Sequence, residues 1–280
     1  MKKLTVVIMV VILAITASLT LIACNEKEQV KVIEVSLTEE EYAFAVAKGN
    51  DDFLDEVNTF LAKIKADGTF DAILDKYFGD GTPTPVTSAA KDSSKDQLIV
   101  ATNAAFPPFE YKQGNSFAGV DMEIAKLLAD ELGKELVIDD MEFDTIIPAI
   151  GGGNADIGMA GMTVNAKRLE TVNFAAPYYN ASQMIVTKVS DTTFDELTTA
   201  EAIEEKLLSL SNKKVGVQAG TTGKFYAAGD EDWGFDGFSN ITVLEYTTGA
   251  LAVQALINGN VDFVIIDEMP AKLIAAAFNG

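Results

Sequence analysis

The chain has 280 residues, with 42 acidic against 21 basic side chains, a formal net charge of −21, no histidine and a single cysteine. So acidic a surface repels nucleic-acid phosphates, and the lack of histidine removes His-based triads, histidine proton shuttles and His-ligated metals. One cysteine allows no disulfide within a monomer, so the core alone must hold the fold.

Lys2 and Lys3 precede an apolar run over residues 4–19, and Leu21-Ile22-Ala23-Cys24 closes it. A basic start, an apolar stretch and a small-residue exit describe a secretory signal over residues 1–23. Leu-Ile-Ala-Cys resembles the lipobox of bacterial lipoproteins, which would make Cys24 the lipid-bearing N-terminus and residues 24–29 a tether to the cell membrane. A single transmembrane anchor is the alternative, since residues 4–23 are about long enough to span a bilayer.

Residues 30–35 and 42–47 read as strands, and 52–78 as two helices broken at Asp67-Gly68. Phe53, Val57, Phe60, Leu61 and Ile64 fall on one face at helical spacing. Residues 80–95 turn to Gly, Thr, Pro, Ser and Asp without apolar periodicity, the composition of a linker. A β/α rhythm follows: strand 98–102, a helix with Asp121 as N-cap running to Gly133, strand 135–138, helix 145–150 and strand 156–160. A second set comprises strand 184–188, helix 199–209, strand 214–218, a helix opened by residues 219–223, strand 241–246, helix 249–257 and strand 261–266. Such alternation predicts mainly parallel sheet with helices on both faces, and ligands then bind beyond the carboxyl ends of the strands.

The stretch Gly161-Met162-Thr163-Val164-Asn165-Ala166-Lys167-Arg168 follows one of these strands, and Asn165 is expected to start a helix. A strand end feeding a helix start presents unpaired N–H groups that suit a carboxylate or phosphate, and Arg168 adds a planar fork. Taken alone, the same stretch reads more readily as an ordinary loop with a solvated arginine. Residues 148–161 also align without gaps on 254–267, pairing Gly153 with Gly259, Asn154 with Asn260 and Asp156 with Asp262. This is either a recurrent turn or a symmetry of two lobes. Under the symmetry, Gly161 and Asp267 are equivalent strand ends, and a carboxylate faces the clamp across one cleft. That pair suits an α-amino acid, whose carboxylate and ammonium share one carbon. Thr221 and Thr222 would add N–H donors at a helix start, and Phe106, Phe109 and Phe143 an apolar wall. Asp267 also reads as the N-cap of the helix that follows it, and the phenylalanines as core.

With Ala101-Thr102-Asn103-Ala104-Ala105-Phe106-Pro107-Pro108-Phe109-Glu110, Met141-Glu142-Phe143-Asp144, Ile146-Ile147-Pro148-Ala149 and residues 160–168, the chain resembles the solute-binding proteins of bacterial ABC importers for polar amino acids. The resemblance implies an α/β, two-lobed periplasmic-binding-protein-like fold with two hinge crossovers. Arg168, Thr163 and Thr222 would hold the ligand carboxylate. Asp267, the Gly161 carbonyl and the Thr163 hydroxyl would hold the ammonium. Phe106 and Phe143 would sandwich the side chain, with Asn103 and Gln218 at its far end and Met162 and Thr221 also in the site. Two neutral amides there imply a neutral, glutamine-like ligand. No cofactor, metal site or catalytic group is implied; the partners are the amino acid, a permease and the membrane through Cys24. A dehydratase of the cyclohexadienyl type, which shares this fold, and the ligand-binding module of a signalling system are the alternatives.

In order the chain departs from the family. Residues 31–79 look like the segment that ordinarily ends such a protein, so the chain is expected to be circularly permuted, with 80–95 joining the old ends. The large lobe would comprise 42–80 and 96–186, the small lobe 187–280 and the hinge-side segment 30–41. Closure of this segment on its own chain gives a monomer; closure on a neighbour gives a domain-swapped dimer.

Overall fold

The computed structural model describes residues 28–79 and 81–280. The leader, Cys24 and Asp80, the first residue of the expected linker, lie outside the described residues. The first half of the chain gives β1 (Val30–Ile33), β2 (Glu40–Tyr42), β3 (Ala45–Ala47), α1 (Asp51–Ala66), α2 (Thr69–Phe78), β4 (Gln97–Thr102), β5 (Ala105–Phe106), β6 (Glu110–Gln113), β7 (Ser116–Ala118), α3 (Val120–Glu131) and β8 (Glu135–Asp140). Then come α4 (Ile146–Gly151), β9 (Ile157–Gly158), β10 (Val172–Phe174), β11 (Tyr179–Ala181), β12 (Gln183–Lys188), α5 (Ala200–Ser209), β13 (Lys213–Gln218), α6 (Thr222–Ala228), β14 (Ile241–Tyr246), α7 (Gly249–Ile257), β15 (Phe263–Asp267) and α8 (Glu268–Asn279).

Two five-stranded sheets form the two lobes, in the orders β10-β3-β9-β4-β8 and β1-β12-β15-β13-β14. In each, four strands run in one direction (β10, β9, β4, β8 and β1, β15, β13, β14) and one, β3 or β12, lies between them antiparallel to both its neighbours. Each sheet is thus mixed through the single antiparallel strand that enters it from the hinge, β3 after β2 and β12 after β11. β2 and β11 pair antiparallel as a two-stranded ribbon that carries the chain between the lobes twice. β12 joins the smaller lobe's sheet from Gln183, earlier than the boundary at 186 expected from the sequence.

The internal repeat has matching geometry. Gly153 and Gly259 adopt φ of +71° and +78°, and Asn154 and Asn260 donate their N–H to Ala149 and Ala255 at 2.8 and 2.9 Å. Asp156 then accepts from the Ile99 N–H of β4 at 2.7 Å, as Asp262 accepts from the Lys214 N–H of β13 at 2.8 Å. In both lobes one carboxylate ties the strand after the turn to its parallel neighbour.

Helix α1 buries Val57, Phe60, Leu61 and Ile64, the face its spacing predicts, in the cluster that holds Leu98, Val100, Ile124 and Leu128. The smaller lobe packs Ile203 and Leu207 of α5 with Val215, Val217, Phe263 and Ile265 of its sheet.

Several local expectations are corrected. The strand expected over 42–47 breaks at Ala43-Phe44, where the chain leaves the hinge ribbon for the sheet. Asp121 is no N-cap: that place falls to Gly119 at φ +128°, where a Cβ would lie 2.0 Å from the Phe109 carbonyl oxygen. No α-helix starts at Asn165; the chain makes a 3-10 turn over Arg168–Glu170, and the Asn165 side chain caps the Arg168 N–H at 2.8 Å. The linker is docked along the large lobe. Val86 is buried and exchanges backbone hydrogen bonds with Phe117 at 2.7 and 2.8 Å, and the Ala89 N–H reaches Leu136.

Candidate functional site

The carboxyl ends of the parallel strands from both sheets meet at one cleft beside the hinge. From the large lobe it is lined by Asn103 after β4, Phe106 of β5, Phe143 after β8, and Gly161, Thr163 and Arg168 after β9. From the small lobe come Gln218 at the end of β13, Thr221 and Thr222 at the start of α6, and Asp267 at the end of β15. The lobes are closed on each other, leaving a cavity of about 10 Å³, room for roughly one water. A molecule the size of an amino acid does not fit the cleft as it stands. Met162, also expected in the site, turns its side chain into the core with Ile146, Ile150 and Val172.

Gly161 has φ +51°, and a Cβ there would stand 3.0 Å from the Phe106 ring and 3.3 Å from Tyr42. Glycine is required both for the left-handed backbone and for the approach of these rings. Its N–H donates to Asp121 Oδ2 at 2.9 Å, leaving the carbonyl oxygen to face other partners. Asp121 is wholly buried, also accepts from the Tyr178 hydroxyl at 2.7 Å, and burial pushes its carboxyl up to about 7.

Arg168 is buried, with Nη1 donating to the Thr163 carbonyl at 2.6 Å and Nη2 crossing to the Gly220 carbonyl of the small lobe at 3.1 Å. Burial lowers it to about 10, against the pull of Glu40 and Asp267, so it stays charged at neutral pH. Of its five N–H groups, those two bonds leave others for an anion. Asp267 is equally buried and accepts from the Tyr42 hydroxyl at 2.5 Å. Burial, then the neighbouring Glu40 carboxylate, push it up to about 7. At the far end Gln218 Nε2 donates to Asn103 Oδ1 at 3.0 Å across the lobes, while Gln218 Oε1 is buried without a donor. Phe143 stands 5.2 Å from the Arg168 guanidinium and so packs against the clamp itself.

Two residues of this site were not singled out in the sequence. Glu40 lies on the hinge strand β2, buried beneath the cleft, and accepts from Thr163 Oγ1 at 2.6 Å, Thr38 Oγ1 at 2.6 Å and Gln183 Nε2 at 3.0 Å. Tyr42, two residues on and on the same side of that strand, holds Asp267. The local signal for this pair is the alternation along β2 that buries Glu40 and Tyr42 and exposes Glu41.

The model of the bacterial extracellular solute-binding proteins, family 3, matches residues 7–80 and 98–233. The chain belongs to that family. The arginine-binding extracellular protein ArtP of Bacillus subtilis is 36% identical over 48% of this chain and 49% of its own length. A probable histidine-binding protein of Campylobacter jejuni is 30% identical over 62% of this chain and 61% of its own length. The arginine-bound form of a truncated ArgBP from T. maritima superimposes with a TM-score of 0.55 and 33% identity, over 65% of this chain and 78% of that one. This family 3 chain thus spans 49% and 61% of the length of these two curated relatives. Among its described residues no helix is long and apolar enough to cross a membrane.

Proposed function

We propose that this chain is the extracytoplasmic receptor of an ABC importer and that it takes a cationic amino acid, L-arginine foremost, between its lobes. The observation that carries the choice of ligand is the charge of the closed cleft. Two buried carboxyl groups, Glu40 and Asp267, stand against one buried guanidinium, Arg168, and a ligand ammonium beside Asp267 draws it into the ionised form. A neutral zwitterion leaves that imbalance in place, whereas a ligand with one further positive charge removes it, and uncompensated buried charge is costly. The glutamine-like ligand expected from Asn103 and Gln218 finds no support among the relatives, two of which are named for arginine and one for histidine. The unpaired Gln218 Oε1 is an acceptor suited to a distal guanidinium.

In this reading Arg168, with Thr222, grips the ligand carboxylate, and Asp267 with the Gly161 carbonyl takes the ammonium. Because the ligand bridges residues of both lobes, its binding favours the closed arrangement, the hinge closure around a ligand that periplasmic binding proteins perform as a class. Lipidation at Cys24 would tether the receptor at the membrane beside its permease.

The order of the chain is part of the proposal: it is a circular permutant that closes on itself as a monomer. What supports this is the contact between its two ends. Asn279, at the end of α8, accepts from the Gln29 and Val30 N–H groups at 2.9 and 3.2 Å and donates to the Val30 carbonyl at 2.8 Å. Strand β1 thus takes up next to α8 the place the resemblance gives to a following strand.

A thermal-shift panel of the twenty amino acids on the protein lacking its leader tests the reading. A ligand at a hundred times its dissociation constant adds about 2.7 kcal/mol, and L-arginine is expected to give the largest shift. Arg168→Ala is expected to remove it. A panel in which no amino acid shifts the melting temperature contradicts the proposal.

A further inference from the structure

One contact to the clamp belongs to none of the expected site residues. The guanidinium of Arg168, on the large lobe, lies 5.0 Å from the ring centroid of Trp233, on the small lobe, as well as over Phe143. Trp233 is the only tryptophan of the chain. It ends a 3-10 turn, Glu231–Trp233, in the loop between α6 and β14. The preceding residues of the two lobes also meet: Asp232 stands 3.2 Å from Lys167. Two consecutive residues of one lobe therefore engage two consecutive residues of the other, alongside the Arg168 to Gly220 hydrogen bond.

The loop that brings Trp233 there is built rather than slack. Asp230 caps the turn by accepting from the Asp232 N–H at 3.0 Å and exchanges backbone hydrogen bonds with Phe235 at 2.8 and 3.1 Å. The loop's two ends touch: a Cβ on Gly237, at φ +67°, would fall 2.2 Å from the Gly229 nitrogen. The indole itself stacks on Phe225 of α6 with centroids 4.5 Å apart and an interplanar angle of 22°. Its position is therefore fixed to the helix whose first residues line the cleft.

We propose that Trp233 is a positioning residue for the carboxylate clamp: on closure its indole lies over the Arg168 guanidinium, replaces water on that plane, and holds the N–H edge towards the ligand's α-carboxylate. This rests on the amino-acid reading above. The physical basis is that a guanidinium stacks readily on an aromatic face while its in-plane donors stay free for bidentate bonds. Phe143 supplies such a contact in either arrangement of the lobes, because it shares a lobe with Arg168. Trp233 supplies its contact only when the lobes meet. The clamp is thus completed by closure, and the effect acts on the ligand's backbone end, independently of its side chain.

The test combines titration calorimetry and intrinsic fluorescence on the protein lacking its leader, using whichever amino acids shift the wild type in the twenty-member panel. Trp233→Ala is expected to weaken every binding amino acid by a similar factor, about tenfold, and Trp233→Phe to restore most of the loss. In the wild type, saturation with the same amino acids is expected to blue-shift the Trp233 emission and reduce its quenching by acrylamide. Wild-type affinity in Trp233→Ala, a loss confined to one ligand, or emission unmoved by saturating ligand overturns the assignment while leaving the amino-acid reading intact. A wild type that binds no amino acid overturns both.

Discussion

Asp267 is where burial and charge meet at the proposed ligand site, and its titration gives the most specific expectation at the scale of single residues. Burial and Glu40 raise its carboxyl from an ordinary value near 3.8 to about 7. The native state then holds a proton that the unfolded chain has released. Stability from this group is complete below pH 4 or so and is lost as pH climbs towards 7, by up to about 1.4 kcal/mol per pH unit while one extra proton is held. A ligand ammonium favours the ionised form, so affinity should rise with pH over the same window and level off above it. Asp267→Asn is expected to flatten both profiles, read by urea unfolding and titration calorimetry between pH 5 and 8. Retention of the wild-type slopes would place the titration elsewhere, Asp121 being the other buried carboxyl raised to about 7. The sequence exposed Arg168, Gly161 and Asp267 because a strand end and a repeat pointed at them. It hid Glu40, Tyr42 and Trp233, whose roles depend on the other lobe and have no local signature. Asp121 is hidden for a related reason: an acid at a helix start looks like a cap, and only the fold brings it the Gly161 N–H that it accepts.

At the scale of elements, what could be read were the units that bury a periodic face. Helix α1, the β/α alternation and the Gly-Asn-x-Asp turns all follow from apolar spacing and glycine placement within a few residues. What could not be read were elements decided at a distance. The break between β2 and β3 exists because the chain must leave the β11 partner for the large sheet, and the linker docks because Val86 finds Phe117. The junction of α8 with β1 is of the same kind, joining residues some 250 positions apart through Asn279. Asn279→Ala removes those bonds and leaves backbone groups of β1 without that partner. A loss of about 1–2 kcal/mol is expected in urea unfolding, with ligand affinity unchanged because the junction lies away from the cleft. No loss would mean that the sheet alone holds β1 in place.

For the whole molecule, the contact between Gln29 and Asn279 makes the chain order testable by rearrangement. A gene that starts at residue 96, runs to 280, joins directly to residue 29 and ends at 79 should fold to the same two lobes. Its far-UV circular dichroism should match, and its ligand affinity should agree within a factor of about ten. Failure to fold would show that the docked linker is needed and that the permutation reading is wrong about the old connection. The two-lobed arrangement also explains why net charge is a poor guide to the cleft. A formal net charge of −21 over the whole chain says little about the balance in a cleft set by buried Glu40, Asp267 and Arg168. The most direct test of that balance is titration calorimetry of L-arginine and L-glutamine on the protein lacking its leader, at pH 7.5 and one ionic strength. L-Arginine is predicted to bind at least about a hundredfold more tightly, a difference near 2.7 kcal/mol; equal affinity, or a preference for L-glutamine, would contradict it.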